Sequence, residues 1–392
     1  VDCFTAPCKG GCPIGQDIPE YIELCRKGEY ASALRLITEK NPLPFITGTI
    51  CAHNCMTKCM RNYYDEPVNI RATKLVAAER GYDDYMAKIK APVPVTDGRK
   101  VAVIGGGPTG MAAAYFVGRA GIPVTIFERS GVLGGVVRQV IPAFRISDDA
   151  IDHDVALMFK MGVEVKLNTE APSVAELKAQ GYTHIFFAVG AWKAGKLDIP
   201  GNVVPVIQWL KDMKAGKDVS LGHVAVVGGG NTAMDAARAA LKAGAKSSTL
   251  VYRRTKKYMP ADAEELEMAI ADGVEFLELV APVEQKDGKL VCERMKLGDP
   301  DEKGRRKPVP TGEMVEIPCD TVVSAVGEKV ESEIFTKNGI TVDAKGIPDF
   351  KTNLEGVYAG GDAMRGPATV VEGIADAQYF ANAKSDRSHV VL

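Results

Sequence analysis

Hydrophobic and polar positions follow two different periods along the chain. Up to about residue 90 the apolar residues recur at helical spacing, as in IPEYIELCRKGEYASALRLI, which predicts amphipathic helices. Beyond that point, short apolar runs such as VAVIG, PVTIFE, THIFFAVG and DTVVSAVG alternate with helical stretches. Alternating strands and helices form parallel sheets, so the sequence predicts an α/β protein with a helical front.

Two of the predicted strands lead directly into glycine-rich turns. VAVIG continues as GGPTG and a helix, and HVAVVG continues as GGNTA and a helix; each helix is followed by a further strand. A strand, a glycine turn, a helix and a second strand make up the nucleotide-binding unit of a Rossmann-like domain. The sequence therefore predicts two related domains of this kind.

Length and charge narrow the class of protein. A chain of 392 residues is too long for one ordinary core, so two or three domains are expected. The formal net charge of -2 gives no basic surface for nucleic acid or an anionic membrane. The uncharged stretch VAVIGGGPTGMAAAYFVG is rich in glycine, which favours strand, turn and helix over a membrane span. We expect a cytoplasmic protein that binds no nucleic acid and has no membrane span.

The first glycine turn has the spacing of a dinucleotide-binding loop. Gly105, Gly107 and Gly110 stand at G-x-G-x-x-G positions between a strand and a helix, and Glu128 ends the next strand. Glycine permits a tight turn and close approach of a pyrophosphate, and a carboxylate at the position of Glu128 can accept a hydrogen bond from a ribose hydroxyl. A glycine turn without a ligand is the alternative interpretation.

The second turn differs at the end of its following strand. Gly228 and Gly230 repeat the first two glycines, but Arg253 and Arg254 stand where the first domain has its acid. Guanidinium groups suit a 2′-phosphate, so the second site is predicted to prefer NADPH, with a solvated basic strand end as the alternative.

The tail completes a flavoprotein pattern. GVYAGGDAMRGPATVVEGIADAQ predicts a strand, a turn and a helix that begins near Thr369, and Asp362 lies in the turn. The positive end of such a helix can stabilise negative charge on a reduced flavin. One site for ribose hydroxyls and one for a phosphate indicate FAD and NADPH.

Seven of the nine cysteines fall within the first 59 residues. They include C-x4-C-x3-C-P and C-x3-C-x3-C patterns, and such clustering in a chain expected to be cytoplasmic favours metal binding over disulfides. Iron–sulfur clusters use about four thiolates, whereas zinc prefers paired knuckles, so zinc is the weaker alternative. Cys25, Cys292 and Cys319 are predicted to be core residues. The candidate ligands are Cys3, Cys8, Cys12, Cys51, Cys55 and Cys59.

Several motifs together resemble a known family. IPAFRI, VVGGGNTAMD, YRR, GRRKPVP and YAGGDA are similar to the small subunit of bacterial glutamate synthase and to the FAD and NADPH domains of dihydropyrimidine dehydrogenase, over essentially the whole chain. Within that group the chain resembles most the flavoprotein region of selenate reductase subunits. The resemblance implies an NADPH domain inserted in an FAD domain, behind a helical [4Fe-4S] domain. The implied bounds are 1–90 for the cluster domain, 91–97 for a linker, 98–194 and 328–392 for the FAD domain, and 195–327 for the NADPH domain.

The resemblance also implies contact residues, some of which the spacing arguments reach independently. Arg145 and the turns at Ala188 and Ala325 come from the resemblance alone. The FAD contacts would be Gly105, Gly106, Gly107, Pro108, Gly110, Glu128, Arg129, Gly134, Gly135, Arg145, Gly361, Asp362, Thr369 and Val370. The NADPH contacts would be Gly228, Gly229, Gly230, Asn231, Thr232, Arg253, Arg254, Ala325, Val326 and Gly327.

For the cysteines the resemblance implies two [4Fe-4S] clusters that share the two segments. Cys3, Cys8 and Cys59 would bind the first cluster, and Cys12, Cys51 and Cys55 the second. The family's fourth ligand of the first cluster would fall one residue before Val1, so we expect a cysteine there. The family's fourth ligand of the second cluster is a glutamine or glutamate at the place of Lys74, and an ammonium cannot ligate iron. The second cluster is therefore in doubt or takes a different ligand, for which Glu79 is a candidate.

These expectations lead to one main functional hypothesis and two alternatives. The main hypothesis is an NADPH-dependent flavin and iron–sulfur oxidoreductase module that passes single electrons to a partner domain or subunit, without a side-chain acid or base. The first alternative is a stand-alone NADPH:ferredoxin or transhydrogenase-like flavoprotein. The second is a structural or docking subunit with degenerate clusters, which Lys74 favours.

Overall fold

A computed structural model describes residues 3, 5–302, 304 and 306–382 of the chain. It divides into two compact units. The first comprises residues up to 138, 143–191 and from 330 onward, and the second comprises 139–142 and 192–329. The second unit thus interrupts the first in sequence, and the cysteine-rich front belongs to the first unit.

The front is helical, as its hydrophobic period predicts. Apolar side chains of its second, third and last helices, among them Ile18, Tyr21, Ile37 and Ala77, form one buried cluster. Cys8 and Cys55 lie on short helices, and the longer helices build the core. The helices are α1 (Pro7–Gly10), α2 (Ile18–Arg26), α3 (Tyr30–Lys40), α4 (Pro44–Ile50), α5 (Asn54–Thr57) and α6 (Ile70–Lys88), with a 3-10 turn at Met60–Tyr63.

After residues 89–100, which form no helix or strand, the first unit continues as an α/β domain. The glycine-rich stretch predicted not to span a membrane forms a strand, a turn and a helix. No helix among the described residues is long and apolar enough to cross a membrane. The elements are β1 (Val101–Ile104), α7 (Pro108–Arg119), β2 (Val124–Phe127), α8 (Gly135–Gln139), α9 (Asp148–Phe159), β3 (Glu164–Lys166), α10 (Val174–Ala179) and β4 (His184–Phe187).

The second unit repeats the strand–turn–helix start and adds a long antiparallel insertion. Its Cys292 and Cys319 are buried in the core, as predicted. The elements are β5 (Lys193–Ala194), β6 (Val203–Pro205), α11 (Val206–Lys214), β7 (His223–Gly228), α12 (Asn231–Lys242), β8 (Ser247–Tyr252), α13 (Ala263–Ala271), β9 (Glu275–Glu278), β10 (Val280–Lys286), β11 (Lys289–Pro300), β12 (Arg306–Pro318), β13 (Thr321–Ala325) and β14 (Glu328–Lys329), with a 3-10 turn at Lys256–Tyr258.

The chain then returns to the first unit and completes its sheet. The returning elements are α14 (Glu333–Thr336), β15 (Val357–Ala359), α15 (Asp362–Arg365) and α16 (Val370–Asn382). Strand β15 pairs with β4 in parallel, and helix α16 packs on α7, with the Phe186 and Phe380 rings stacked at 4.5 Å.

The two parallel sheets have closely related topologies. The first has the order β15-β4-β1-β2-β3 and the second β6-β13-β7-β8-β9. In both, the strand that leads to the glycine turn lies at the centre, so that its carboxyl end meets the crevice where nucleotides bind in such folds. The antiparallel β10-β11-β12 sheet lies in sequence between β9 and β13. The predicted fold class, two Rossmann-like domains behind a helical front, is confirmed.

Candidate functional site

Glycine is required at the three positions of the first turn for three different reasons. Gly105 has φ +103°, and a Cβ there would lie 2.5 Å from the carbonyl oxygen of Ala188. A Cβ on Gly110 would lie 1.9 Å from the carbonyl oxygen of Gly105, so this glycine allows helix α7 to pack close to the strand. A Cβ on Gly107 would meet only the Cα of Gly135, at 3.8 Å. Protein packing does not require glycine at 107, but a pyrophosphate lying on the N-terminus of α7 would.

Glu128 holds this turn in place. Its buried carboxylate accepts hydrogen bonds from the backbone N–H of Gly106 at 2.6 Å and of Ser130 at 2.7 Å. The structure therefore adds a second role to the residue, since the predicted ribose contact and the loop anchor use the same carboxylate. Gly134 also joins the turn, because its N–H donates to the carbonyl of Gly106 at 2.8 Å.

The tail segment meets the same turn through Thr109, which the sequence did not single out. Gly361 has φ +64°, and a Cβ there would lie 2.3 Å from Oγ1 of Thr109. The buried Asp376 accepts the N–H of Gly361 at 2.9 Å and pairs with Arg365 at 2.5 Å. The glycine turn, Gly134 and Gly361 thus form one cradle, and its shape fits the phosphates of FAD.

Two further contacts order the end of the tail. Asp362 begins α15 and accepts the N–H of Ala368 at 3.1 Å. Thr369 precedes α16 and donates its hydroxyl to Glu372 at 2.6 Å, so the helix begins at Val370, as predicted to within one residue. The positive end of α16 is therefore fixed by its own first turn.

Two further predicted FAD contacts are Arg129, two residues after the end of β2, and Arg145, in the segment between α8 and α9. Arg129 is exposed and pairs with Glu331 at 3.4 Å. Arg145 is half-buried and lines a groove with Phe45, Tyr82 and His153, where the front helices meet α9. Their roles toward FAD stay predictions.

The second glycine turn repeats the geometry of the first. A Cβ on Gly228 would lie 2.3 Å from the carbonyl oxygen of Ala325. In the same way, a Cβ on Gly105 would lie close to the carbonyl oxygen of Ala188. A Cβ on Gly230 would meet nothing within 4 Å, so open space lies at the start of α12. The amide of Asn231 bonds to Asp262 at 3.2 Å and holds the loop that follows β8. This cradle fits a dinucleotide phosphate as the first one does.

Arginine groups follow β8, as the sequence predicts. Arg253 is exposed, and the Nε atom of Arg254 is buried without a hydrogen-bond partner in the described part of the chain. An unpaired buried donor is costly unless an acceptor binds it, and a guanidinium is suited to phosphate oxygens. The donor set therefore fits the 2′-phosphate of NADPH. In the turn that follows β13, Val326 is 43% exposed and Gly327 has open space beside it.

The two cysteine segments have the same local structure. Ala6 and His53 both adopt φ 41°, in the left-handed region, and each directly precedes a one-turn helix. Cys8 and Cys55 are the second residues of these helices, α1 and α5, which contact one another. Left-handed conformations in residues other than glycine cost energy and cluster at functional sites, which is consistent with a built ligand site.

The thiols of the two segments shift one another's pKa values. Burial raises the pKa of Cys8, and Cys59 and Cys3 raise it further. Burial raises the pKa of Cys55 to about 12, with contributions from Cys51, from Cys12 and, across the two predicted sets, from Cys8. The ligand assignments stay predictions. No three cysteine, histidine or acidic side chains among the described residues converge on one point as a single metal ion would require. A cubane cluster binds each thiolate to a different iron, so its ligands surround the cluster instead.

Lys74 lies near Cys55, a member of the second predicted ligand set. It is buried on α6, and its charge opposes the rise in the pKa of Cys55. Glu79, the other candidate, is exposed and lines the groove with Tyr82, roughly 140° around the helix from Lys74. Three thiols and a lysine fit a cluster only if one iron has no protein ligand.

Known families match both parts of the chain. Residues 99–377 match the pyridine nucleotide-disulphide oxidoreductase family, and residues 1–84 match dihydropyrimidine dehydrogenase domain II, 4Fe-4S cluster. FprA from Mycobacterium tuberculosis in complex with NADPH has the same fold, with a TM-score of 0.60 at 21% identity over 73% of this chain and 83% of that one.

Relatives extend over the whole chain. The small chain of glutamate synthase [NADPH] from Escherichia coli K12 is 30% identical over 97% of this chain and 88% of its own length. The NADPH-Fe(3+) oxidoreductase subunit beta of Geobacter sulfurreducens is 37% identical over 97% of this chain, and the Escherichia coli K12 oxidoreductase YgfK is 43% identical over 100%. The chain spans 63% and 39% of the length of these last two proteins. The chain therefore belongs to the pyridine nucleotide-disulphide oxidoreductase family, with domains for FAD and NADPH behind an N-terminal 4Fe-4S cluster domain.

Proposed function

We propose that the chain is the electron-entry module of a larger cytoplasmic enzyme, which oxidises NADPH and delivers electrons singly to a partner domain or subunit. The observation that carries this proposal is the placement of the cysteine segments and the FAD cradle within one compact unit. Relatives named as a small chain or a subunit beta support a partner.

The protein's own part is binding and orientation. A bound FAD accepts two electrons as a hydride and can release them one at a time, and [4Fe-4S] clusters carry single electrons. Glu128 fixes the turn that receives one phosphate group, and Arg253 and Arg254 select the 2′-phosphate of NADPH. The N-terminus of α16 offers a positive end to negative charge on the flavin ring. No side chain is assigned as an acid or base.

The sequence supports the cluster route over a disulfide route. Flavin reductases with two nucleotide domains often pass electrons to a C-x-x-C pair, and no C-x-x-C occurs in these 392 residues. Seven of the nine cysteines lie in the helical front, and the other two, Cys292 and Cys319, are buried in the core of the second unit. Electrons are therefore proposed to leave through the front.

Iron and acid-labile sulfide analysis of the chain, purified without oxygen, tests this proposal. About eight irons per chain support two clusters and about four support one. Reduction by NADPH should bleach the flavin absorbance and then produce the electron paramagnetic resonance signal of reduced clusters. A chain with flavin but no iron, or with zinc in its place, would contradict the electron-entry function and favour a docking subunit.

A further inference from the structure

Lys74 is a buried cation in an unusual position. Only 8% of it is exposed, and no described residue lies within hydrogen-bond or ion-pair distance of its ammonium. Lysine is almost never this buried unless it is paired, because removing an ammonium from water is costly. A group of opposite charge is therefore expected beside it.

Contacts of α6 show which part of the molecule Lys74 faces. Arg71 lies one helical turn earlier on the same face and donates to the carbonyl of Cys51 at 3.4 Å and to the ring of His53 at 3.1 Å. The backbone carbonyl of Ile70, at the start of the helix, accepts the hydroxyl of Tyr21, against whose apolar cluster Cys8, Cys12 and Cys55 pack. The contacts of Arg71 therefore show that this face of α6 is directed toward Cys51 of the second cysteine set.

We propose that Lys74 stands in the place of the fourth ligand of the second cluster and contributes a positive charge there instead of a bond to iron. In this arrangement Cys12, Cys51 and Cys55 hold three irons, the fourth iron has no protein ligand, and the Lys74 ammonium balances the negative charge of the cluster and its thiolates. The inference rests on the proposed function only in that this cysteine set holds a [4Fe-4S] cluster. Lys74 is a positioning residue here, not a ligand.

A competing interpretation gives Lys74 a purely structural role toward Asp154. That carboxylate is fully buried on α9 and accepts the N–H groups of Phe45 at 3.1 Å and Ile46 at 2.8 Å. Burial raises the pKa of Asp154 well above its usual range, and Lys74 opposes the rise. If Lys74 served only this carboxylate, its removal and Asp154→Asn would have the same consequences.

Chemical lability of the unligated iron distinguishes the two roles. Mild oxidation with ferricyanide breaks the bonds of that iron to the cluster sulfides, releases one ferrous ion to solvent and transfers one electron to ferricyanide, which leaves a [3Fe-4S] cluster. Its paramagnetic resonance signal can be counted as spins per chain. The set of proteins is wild type, Lys74→Gln, Lys74→Met, Lys74→Arg, Asp154→Asn and Lys88→Gln, the last an exposed lysine on the same helix.

We expect Lys74→Gln, whose amide can ligate iron, to lose about one spin per chain of this signal relative to wild type. Lys74→Met should retain the signal but shift the midpoint potential of the second cluster to a more negative value, because the reduced form loses its compensating charge. Lys74→Arg, Asp154→Asn and Lys88→Gln should keep both properties of wild type. Any signal from the first cysteine set is common to all six proteins and cancels in the comparison.

Each other outcome overturns a specific statement. Eight irons with equal signals in wild type and Lys74→Gln would refute the three-ligand cluster and leave the proposed function standing. Four irons in wild type, with a resonance signal that none of the Lys74 substitutions changes, would show that the second set holds no cluster. Lys74→Met and Asp154→Asn with the same potential shift would assign Lys74 to Asp154. Bound FAD, measured for every variant, identifies any protein that has failed to fold.

Discussion

Gly107 and Gly230 differ from the other glycines of the two nucleotide turns because the protein leaves room for a side chain at both. A methyl group would meet one atom at 3.8 Å at Gly107 and none within 4 Å at Gly230. We therefore expect Gly107→Ala to fold with a nearly unchanged melting temperature in the apoprotein but to lose bound FAD. Gly230→Ala should keep FAD and raise the KM for NADPH at least tenfold.

Gly110→Ala is the matched control for these substitutions. Its methyl would lie 1.9 Å from the carbonyl of Gly105, so it should lower the melting temperature of the apoprotein. Absorbance at the flavin band and thermal unfolding check both expectations. If Gly107→Ala kept full FAD, the phosphate would have to bind elsewhere.

Arg254 provides the test of nucleotide preference. Because its buried Nε has no partner in the described residues, a phosphate oxygen is the acceptor that it lacks. Arg254→Ala should raise the KM for NADPH by roughly 10- to 100-fold, as expected for loss of one or two charge-assisted hydrogen bonds, and change that for NADH little. Lys257→Ala, an exposed charge nearby in sequence, is the control. Equal effects of Arg254→Ala on both nucleotides would disprove the role.

At the scale of elements, Asp154 connects α9 to the start of α4. The two N–H groups that it accepts belong to the first turn of α4, which has no side-chain cap of its own. Asp154→Ala would leave both donors buried and unpaired, so we expect a loss of about 2–5 kcal/mol in the free energy of unfolding. Asp149→Ala, an exposed position on the same helix, should change it by less than about 0.5 kcal/mol. Urea unfolding of the apoproteins measures both, and equal losses would remove Asp154 from this role.

Strands and helices with a clear period were predictable from the sequence, and elements defined by distant contacts were not. The glycine turn after VAVIG predicts β1 and α7, and the glycine turn after HVAVVG predicts β7 and α12. Both predictions succeed because glycine spacing and hydrophobic runs are local signals. The antiparallel β10–β12 insertion was not predicted, since β12 is largely exposed and only the first part of β11 alternates between buried and more exposed positions. Thr109 was missed for a related reason, because it contacts Gly361, which lies far away in sequence. Asp376 was missed although it lies only 15 residues from Gly361.

At the scale of the whole molecule, the front helices and the FAD cradle share one unit through few but specific contacts. Arg119 of α7 donates to the carbonyls of Thr38 and Glu39, both at 3.1 Å, and Gln378 of α16 donates to the carbonyl of Lys40 at 2.6 Å. The two helices that flank the FAD cradle are therefore the ones that hold α3. This arrangement holds the front helices and the flavin cradle on a common support.

Removal of one thiol should separate hydride entry from electron exit. Cys8→Ser takes a predicted ligand from the first cluster, while the FAD cradle and the arginines after β8 keep their contacts. We expect NADPH to bleach the flavin at the wild-type rate, and the cluster signal in electron paramagnetic resonance to fall by about half. Cys25→Ser is the matched control, because Cys25 packs against the same apolar cluster as Cys8 but belongs to neither predicted ligand set. A full cluster signal in Cys8→Ser, or the same loss in Cys25→Ser, would show that Cys8 fills space and binds no iron.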